Sequence, residues 1–258
     1  MQRILARSGV EVPREIWKLK ALHTLRTVDV SVGKAVLQSI KRLTRLRKLG
    51  VKGINKRNGQ ELCSAIAHLR SLESLSLHSH GETGLSGCLD GLSSPPENLQ
   101  SLELGGNLVK LPEWIQGLKN LVKLKLWRSR ISEHDAAIQV LGNLPNLATL
   151  RLLEESFVGE EVCFSFHREA FLSLKVLQLE WVRITSVRFE EGASPKLELL
   201  QYTCWNSNLR VGIFSGLAYL TSLKEFMLRR DNLSKTEFVE HLRCQLTENQ
   251  NGPVLKCL

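Results

Sequence analysis

The sequence predicts an α/β solenoid, in which short repeats stack on one another and no single globular core closes. Two observations carry the prediction. Apolar residues recur in a frame of four, LxxLxxLxL, seen in full at Leu118, Leu121, Leu124 and Leu126. The frame then returns along nearly the whole chain at intervals of about 21 to 27 residues, inside the range of about 20–29 that one such repeat occupies. Composition agrees: Leu dominates the apolar residues and aromatics are only 6% of the chain, which suits a narrow repeated core.

Taken in order, the frames fall at Leu25, Val28, Val30; at Leu43, Leu46, Leu49, Val51; at Leu69, Leu72, Leu75, Leu77; and at Leu99, Leu102, Leu104. After the frame at Leu118 they continue at Leu144, Leu147, Leu150, Leu152; at Leu174, Leu177, Leu179; at Leu197, Leu200, Tyr202; and at Leu223, Phe226, Leu228. In each LxL the two apolar side chains point one way and the middle residue the other, because strand side chains alternate. One such strand cannot bury its apolar face alone, but stacked copies form a parallel sheet over a continuous leucine core. Each buried Leu contributes roughly 1.5–3 kcal/mol. The pattern is therefore a leucine-rich-repeat horseshoe of about nine irregular repeats. Its parallel sheet is expected on the concave face, with mixed helices and loops on the convex face.

The return segments differ among themselves. Lys34 to Leu43, Gln60 to Leu69 and Glu133 to Leu144 have helical patterning, whereas Gly81 to Asn98 is rich in Gly, Ser and Pro and reads as a loop insertion. Thr236 to Leu246 reads as an amphipathic helix that caps the array, with Phe238, Val239, Leu242 and Leu246 on one side and Ser234 capping its start. No comparable cap precedes the first frame. The expected organisation is one domain over 1–258: a partial N-terminal repeat at 1–20, repeats over 21–233, and a helical cap and tail at 234–258. A regular repeat carries Asn three residues after its second strand position; here those positions are Gly33, Ile54, His80, Asn107, Ser129, Glu155, Val182, Trp205 and Asp231. Only Asn107 fits, so an incomplete Asn ladder and uneven curvature are expected.

The formal charge of +9 is unevenly spread. Residues 1–60 hold about 15 basic and about 3 acidic side chains, leaving the remainder slightly acidic. The basic end lacks the interleaved aromatics and recognised modules of nucleic-acid binders, which disfavours a nucleic-acid partner. It reads either as a solvated face or as a docking surface for an acidic partner. Six cysteines are scattered without CxxC or zinc-finger spacing, and are expected as reduced thiols, several of them buried. No secretory signal pattern and no apolar run of about 20 residues occurs. The expectation is a cytoplasmic protein without a membrane span.

No GxSxG elbow, HExxH or P-loop is present, so the sequence reads as non-enzymatic, without cofactor and without metal. His78 and His80 read as exposed loop histidines, and the pairs Glu154-Glu155, Glu160-Glu161 and Glu190-Glu191 as exposed acidic patches. Binding is better placed on the outward strand positions. From the fifth repeat on these include Lys125, Trp127, Arg128, Arg151, Gln178, Glu180, Trp181, Arg229 and Arg230. Trp and Arg are the residue types enriched at binding hot spots, and the alternative for the two tryptophans is packing against neighbouring repeats.

The segment Leu111-Pro-Glu-Trp-Ile115-Gln-Gly-Leu118-Lys-Asn-Leu121 resembles the LPxxIxxLxxL units of plant intracellular immune receptors, and Val12-Pro-Arg-Glu-Ile16-Trp-Lys-Leu19 is a second copy. Leu22-His-Thr-Leu25-Arg-Thr-Val28-Asp-Val30 is similar to early repeats of the coiled-coil nucleotide-binding disease-resistance receptors of cereals. The tail from Phe238 to Leu255 resembles the end of such receptors. The resemblance implies a protein-recognition module in plant defence. It would sense a pathogen effector or a guarded host protein, hold a nucleotide-binding switch domain inactive in cis or in trans, or do both. In that family the N-terminal repeats dock on the switch, which assigns that role here to Lys41, Arg42, Arg45, Arg47, Lys48 and Lys52. The switch itself is not in this sequence, so ATP binding is not carried over. The chain is then a fragment of a receptor, a truncated paralogue, or a stand-alone repeat scaffold or adaptor for signalling proteins.

Overall fold

The structure, a computed structural model, describes the chain except residues 1, 11–14, 32, 34, 80, 82, 205–209 and 231–235; for residues 2–10, 230 and 236 it describes the backbone alone. The chain divides into two units, Met1–Leu121 and Val122–Leu258.

In the first unit, β1 (Gln2–Val10), β2 (Leu22–Asp29), β3 (Lys48–Lys52), β4 (Ser74–His78) and β5 (Ser101–Gly105) lie side by side in chain order. Each pairs in parallel with the next. The LxL residues of every frame here are inward and buried, with Val28, Leu49, Leu75 and Leu102 at most 2% exposed. Two of the expected helices are present, α1 (Ala35–Lys41) and α2 (Gly59–His68). Helix α2 turns Leu62, Cys63, Ala65 and Ile66 inward, the spacing of one face of a 3.6-residue period. The segment 81–98 contains no helix or strand among its described residues, yet it buries Leu85, Cys88, Leu89 and Leu92. Its loop character is as read from the sequence, but it is packed against the unit. Strand β1 extends the sheet ahead of the first frame, where no cap was expected.

The second unit has β6 (Lys123–Trp127), β7 (Thr149–Leu153), β9 (Val176–Glu180), β11 (Leu199–Cys204), β13 (Glu225–Arg230) and β14 (Val254–Cys257) in one parallel sheet. A second sheet, in the order β12-β10-β8, is formed by β8 (Cys163–Phe166), β10 (Ser186–Phe189) and β12 (Phe214–Ser215). It corrects the expectation of only helices and loops on the return side. The reason is chemical: Cys163-Phe-Ser-Phe166 and Ser186-Val-Arg-Phe189 alternate with period two and use aromatic and β-branched residues that favour strands. Phe164, Phe166, Val187, Phe189 and Phe214 are buried there, and Phe166 stacks on Phe189 with ring centroids 4.6 Å apart. Helix α3 (His134–Gly142) forms as expected. Helix α4 (Thr236–Thr247) buries Phe238, Val239, Leu242 and Leu246, as its patterning predicts, while Ser234 lies outside the described residues.

The bonds between repeats are displaced from the expected Asn position. Just ahead of the strand-leading Leu, Asn98, Asn120, Ser173 and Ser222 each donate a side-chain hydrogen bond to a carbonyl one repeat earlier. The acceptors are Arg70, Glu97, Pro145 and Pro195, at 2.6–3.1 Å. Buried Asn58 also bridges repeats, giving its amide to the carbonyl of Val30 one repeat earlier and to that of Gly53 in its own repeat, both at 3.0 Å. Of these bonds only that of Asn58 to Val30 is buried, and it satisfies a carbonyl that burial would otherwise leave unpaired.

Candidate functional site: the outward sheet faces

Register sets which outward side chains become neighbours. In the second unit Lys125, Arg151 and Gln178 face one another across β6, β7 and β9, and the row continues through Gln201 and Met227 to Lys256. The next row is Trp127, Leu153, Glu180, Thr203 and Arg229. Neighbours in a row are about 4.8 Å apart. The structure therefore brings together Lys125, Trp127, Arg151, Gln178, Glu180 and Arg229 on one continuous face. Arg230 ends β13, and its side chain lies outside the described residues.

Arg128 and Trp181 follow β6 and β9 directly. Both adopt left-handed backbone, with φ of 51° and 55°, so each side chain is thrown to the strand's C-terminal edge. At that edge the indole Nε1 of Trp127 donates to Glu154 Oε2 at 2.8 Å. Arg128 pairs with the same carboxylate and sets its guanidinium 5.0 Å from the Trp127 ring centre. The Arg128 guanidinium and then the Trp127 indole hold the Glu154 carboxyl below its ordinary range. Glu154 is thus a half-buried organiser of the site, a correction to its reading as an exposed acidic patch. Its signal in the sequence was its place one repeat beyond Arg128. Gln178 Nε2 donates to Glu180 Oε2 at 2.7 Å. Trp181 borders a cleft of about 280 Å³ with Arg130, Glu155, Phe157 and Arg183; neither arginine was singled out from the sequence.

The basic residues of the first unit divide between two faces. Lys48 and Lys52 are on β3, on its outward sheet face, and Lys52 Nζ lies 3.7 Å from Asp29. Lys41 ends α1 and donates to Ser64 of α2 at 3.1 Å. Arg42 covers the Trp17 ring at 4.0 Å, Arg47 pairs with Glu73, and Arg45 is exposed. His78 corrects a second expectation. It ends β4, half-buried, with its ring Nε2 2.8 Å from Ser76 Oγ and 3.5 Å from Glu103. It is therefore part of the sheet face and not of a loop; His80 lies outside the described residues. Among the described residues no three His, Cys, Asp or Glu side chains cluster so as to hold a metal ion, and no helix is long and apolar enough to cross a membrane.

Stacked parallel LxL strands with a buried leucine face and an open polar face define a repeat-solenoid class. The chain belongs to the leucine-rich-repeat family: the family model described as leucine-rich repeat region matches residues 1–255. Among its relatives is the disease resistance protein RPM1 of Arabidopsis thaliana, 25% identical over 245 residues, covering 95% of this chain and 24% of that protein. Another is the disease resistance protein PIK6-NP of Oryza sativa subsp. japonica, 29% identical over 235 residues, covering 82% of this chain and 22% of that protein. The likeness spans Arabidopsis and rice and does not single out cereal receptors. The chain spans about a quarter of the length of these relatives. A solved leucine-rich-repeat protein of Leptospira interrogans aligns over 98% of this chain and 70% of its own, at 19% identity and a TM-score of 0.41.

Proposed function

We propose that this chain is a non-catalytic protein-recognition module of plant defence, acting in the cytoplasm, and that the outward sheet face of its second unit contacts a pathogen effector or a guarded host protein. The observation that carries the reading is the Trp127–Arg128–Glu154 cluster. A large aromatic is held in one orientation at the border of an open face, so little side-chain entropy is lost when a partner covers it. The relatives named as disease resistance proteins support the biological setting. The basic side chains Lys41, Arg42, Arg45, Arg47, Lys48 and Lys52 are assigned to docking a nucleotide-binding switch domain, in cis or in trans. Their separation onto a helix side and a sheet side favours a partner that grips an edge over one that lies on a single face.

The test is binding of a cognate effector to the Trp127→Ala and Trp181→Ala variants. The expected result is a loss of at least about tenfold in affinity for one of them, the size of a hot-spot truncation. Unchanged affinity in both, with intact folding, overturns the reading. Switch docking should weaken as salt rises, because exposed charges are screened beyond about 8–10 Å at physiological ionic strength.

A further inference from the structure

The first unit contains a cleft of about 410 Å³ on its own sheet face, bordered by Arg26, Gly50, Lys52, Ser76, His78 and Glu103. Its origin lies in one irregularity. The pairing of β2 with β3 slips between Leu25 and Val28, and Thr27 within that bulge has φ of 62°. The bulge leans over Gly50, where an added Cβ would stand 3.1 Å from the Thr27 nitrogen. Gly50 thus admits the bulge, and its backbone contributes to the wall of the cleft. Beyond it, in register, come Ser76 on β4 and Glu103 on β5. Across the four strands the cleft runs from a cation through a glycine and a hydroxyl to a carboxylate.

The charges around the cleft are not balanced within the unit. Lys52 is near Asp29, and His78 and Ser76 are near Glu103. Arg26 is exposed, and among the described residues it has no ion-pair partner. At the far end Glu103 opposes any ligand that is negative along its whole length, yet a carboxylate has capacity for about four hydrogen bonds and can accept another N–H. Three strand spacings separate the two ends, about 14 Å, the length of roughly four extended residues. A small polyanion does not match this polarity. A peptide with a carboxylate at one end and amide donors at the other does.

We propose that this cleft is an anchoring pocket for an acidic side chain of a protein partner, seated beside Gly50 between Arg26 and Lys52, with the partner's following backbone N–H groups directed toward Glu103. The pocket rests on the reading of the chain as a recognition module, but it is independent of the Trp127 cluster.

The experiment is an amide-resolved NMR titration of the 258-residue chain with the capped peptide acetyl-Ala-Ala-Glu-Ala-Ala-amide, its Gln counterpart, and inorganic phosphate. The Glu peptide is expected to shift the amides of Gly50 and Ser76, and the Gln peptide to leave them in place. Arg26→Ala should weaken the Glu peptide about tenfold, as loss of a charge-assisted hydrogen bond does. Ser76→Leu, which fills the cleft without touching the cation, should abolish the shifts. Equal shifts with the Gln peptide, phosphate binding without peptide binding, or no shift from any probe each overturn the proposal. Effector binding by the Trp127→Ala variant is read separately, so failure of the pocket and failure of the proposed function are distinguishable.

Discussion

The indole of Trp127 is tied to the carboxylate of Glu154, one repeat further along the chain, by a 2.8 Å hydrogen bond, and Arg128 closes on the same carboxylate from the other side. Replacing Glu154 by Ala should release both side chains. The indole N–H resonance of Trp127 is expected to shift to a solvent-exposed position. Because the Arg128 side of the pair is exposed and screened by solvent, the cost in overall stability should be small. An unmoved indole resonance would contradict the role of Glu154.

The same cluster should respond to acid. Glu154 has a folded-state pKa lowered from its ordinary 4.5, first by Arg128 and then by Trp127. A depressed pKa means that the interaction is fully present above the ordinary value and is lost as the pH falls through the lower, folded one. The Trp127 indole signal is therefore expected to be constant between about pH 5 and 8 and to change only below the ordinary carboxylate range. A midpoint near neutrality would show that another group controls it.

Gly216 joins β12 to the turn that follows, with φ of 75°, and a Cβ there would stand 2.0 Å from the Phe189 carbonyl oxygen. Gly216→Ala combines a left-handed backbone with a backbone collision. It should destabilise the chain by more than about 1 kcal/mol in urea unfolding. A neutral substitution would mean that β12 moves away from β10 at little cost.

Phe166 is fully buried and touches both Phe171 and Phe189, with ring centroids 4.9 and 4.6 Å away. Phe166→Ala should cost about 3–5 kcal/mol. In a solenoid each repeat contacts only its neighbours. Hydrogen exchange should therefore accelerate most in β8 and β10, and less in strands further along the unit. Uniform acceleration would argue for all-or-none unfolding.

The six thiols should separate by accessibility. Cys244 is exposed and Cys163 and Cys257 are half-buried, whereas Cys63, Cys88 and Cys204 are buried. Burial pushes the Cys63 thiol up to about 11 and raises that of Cys88, which suppresses the reactive thiolate. An aromatic disulfide reagent at about pH 8 should label no more than three thiols in the folded chain. Rapid labelling of Cys63 would show local opening of α2.

Much of the fold was legible because its signal is local. The inward Leu of each frame is apolar by itself, and its spacing needs no partner to be read. The α2 and α4 patterns are likewise carried by their own faces. Strands β1 and β14 lack the leading Leu frame, so their place in the sheets comes from pairing alone. Strands β8 and β10 did carry a period-two signal, but over only four residues each, and the two residues of β12 are too few to show one.

The sequence by itself determined the repeat, the buried residues of its leucine frames, and which residues face outward from those strands, because strand alternation follows directly from backbone geometry. Tertiary structure alone decided which outward residues meet. That Glu154 organises Trp127, that His78 lies beside Glu103, and that Lys48 and Lys52 part from Lys41 and Arg42 all depend on register and return path. The cleft beside Gly50 depends on a bulge in the neighbouring strand. Such relationships are set by pairing between repeats roughly 25 residues apart, and no local pattern encodes them.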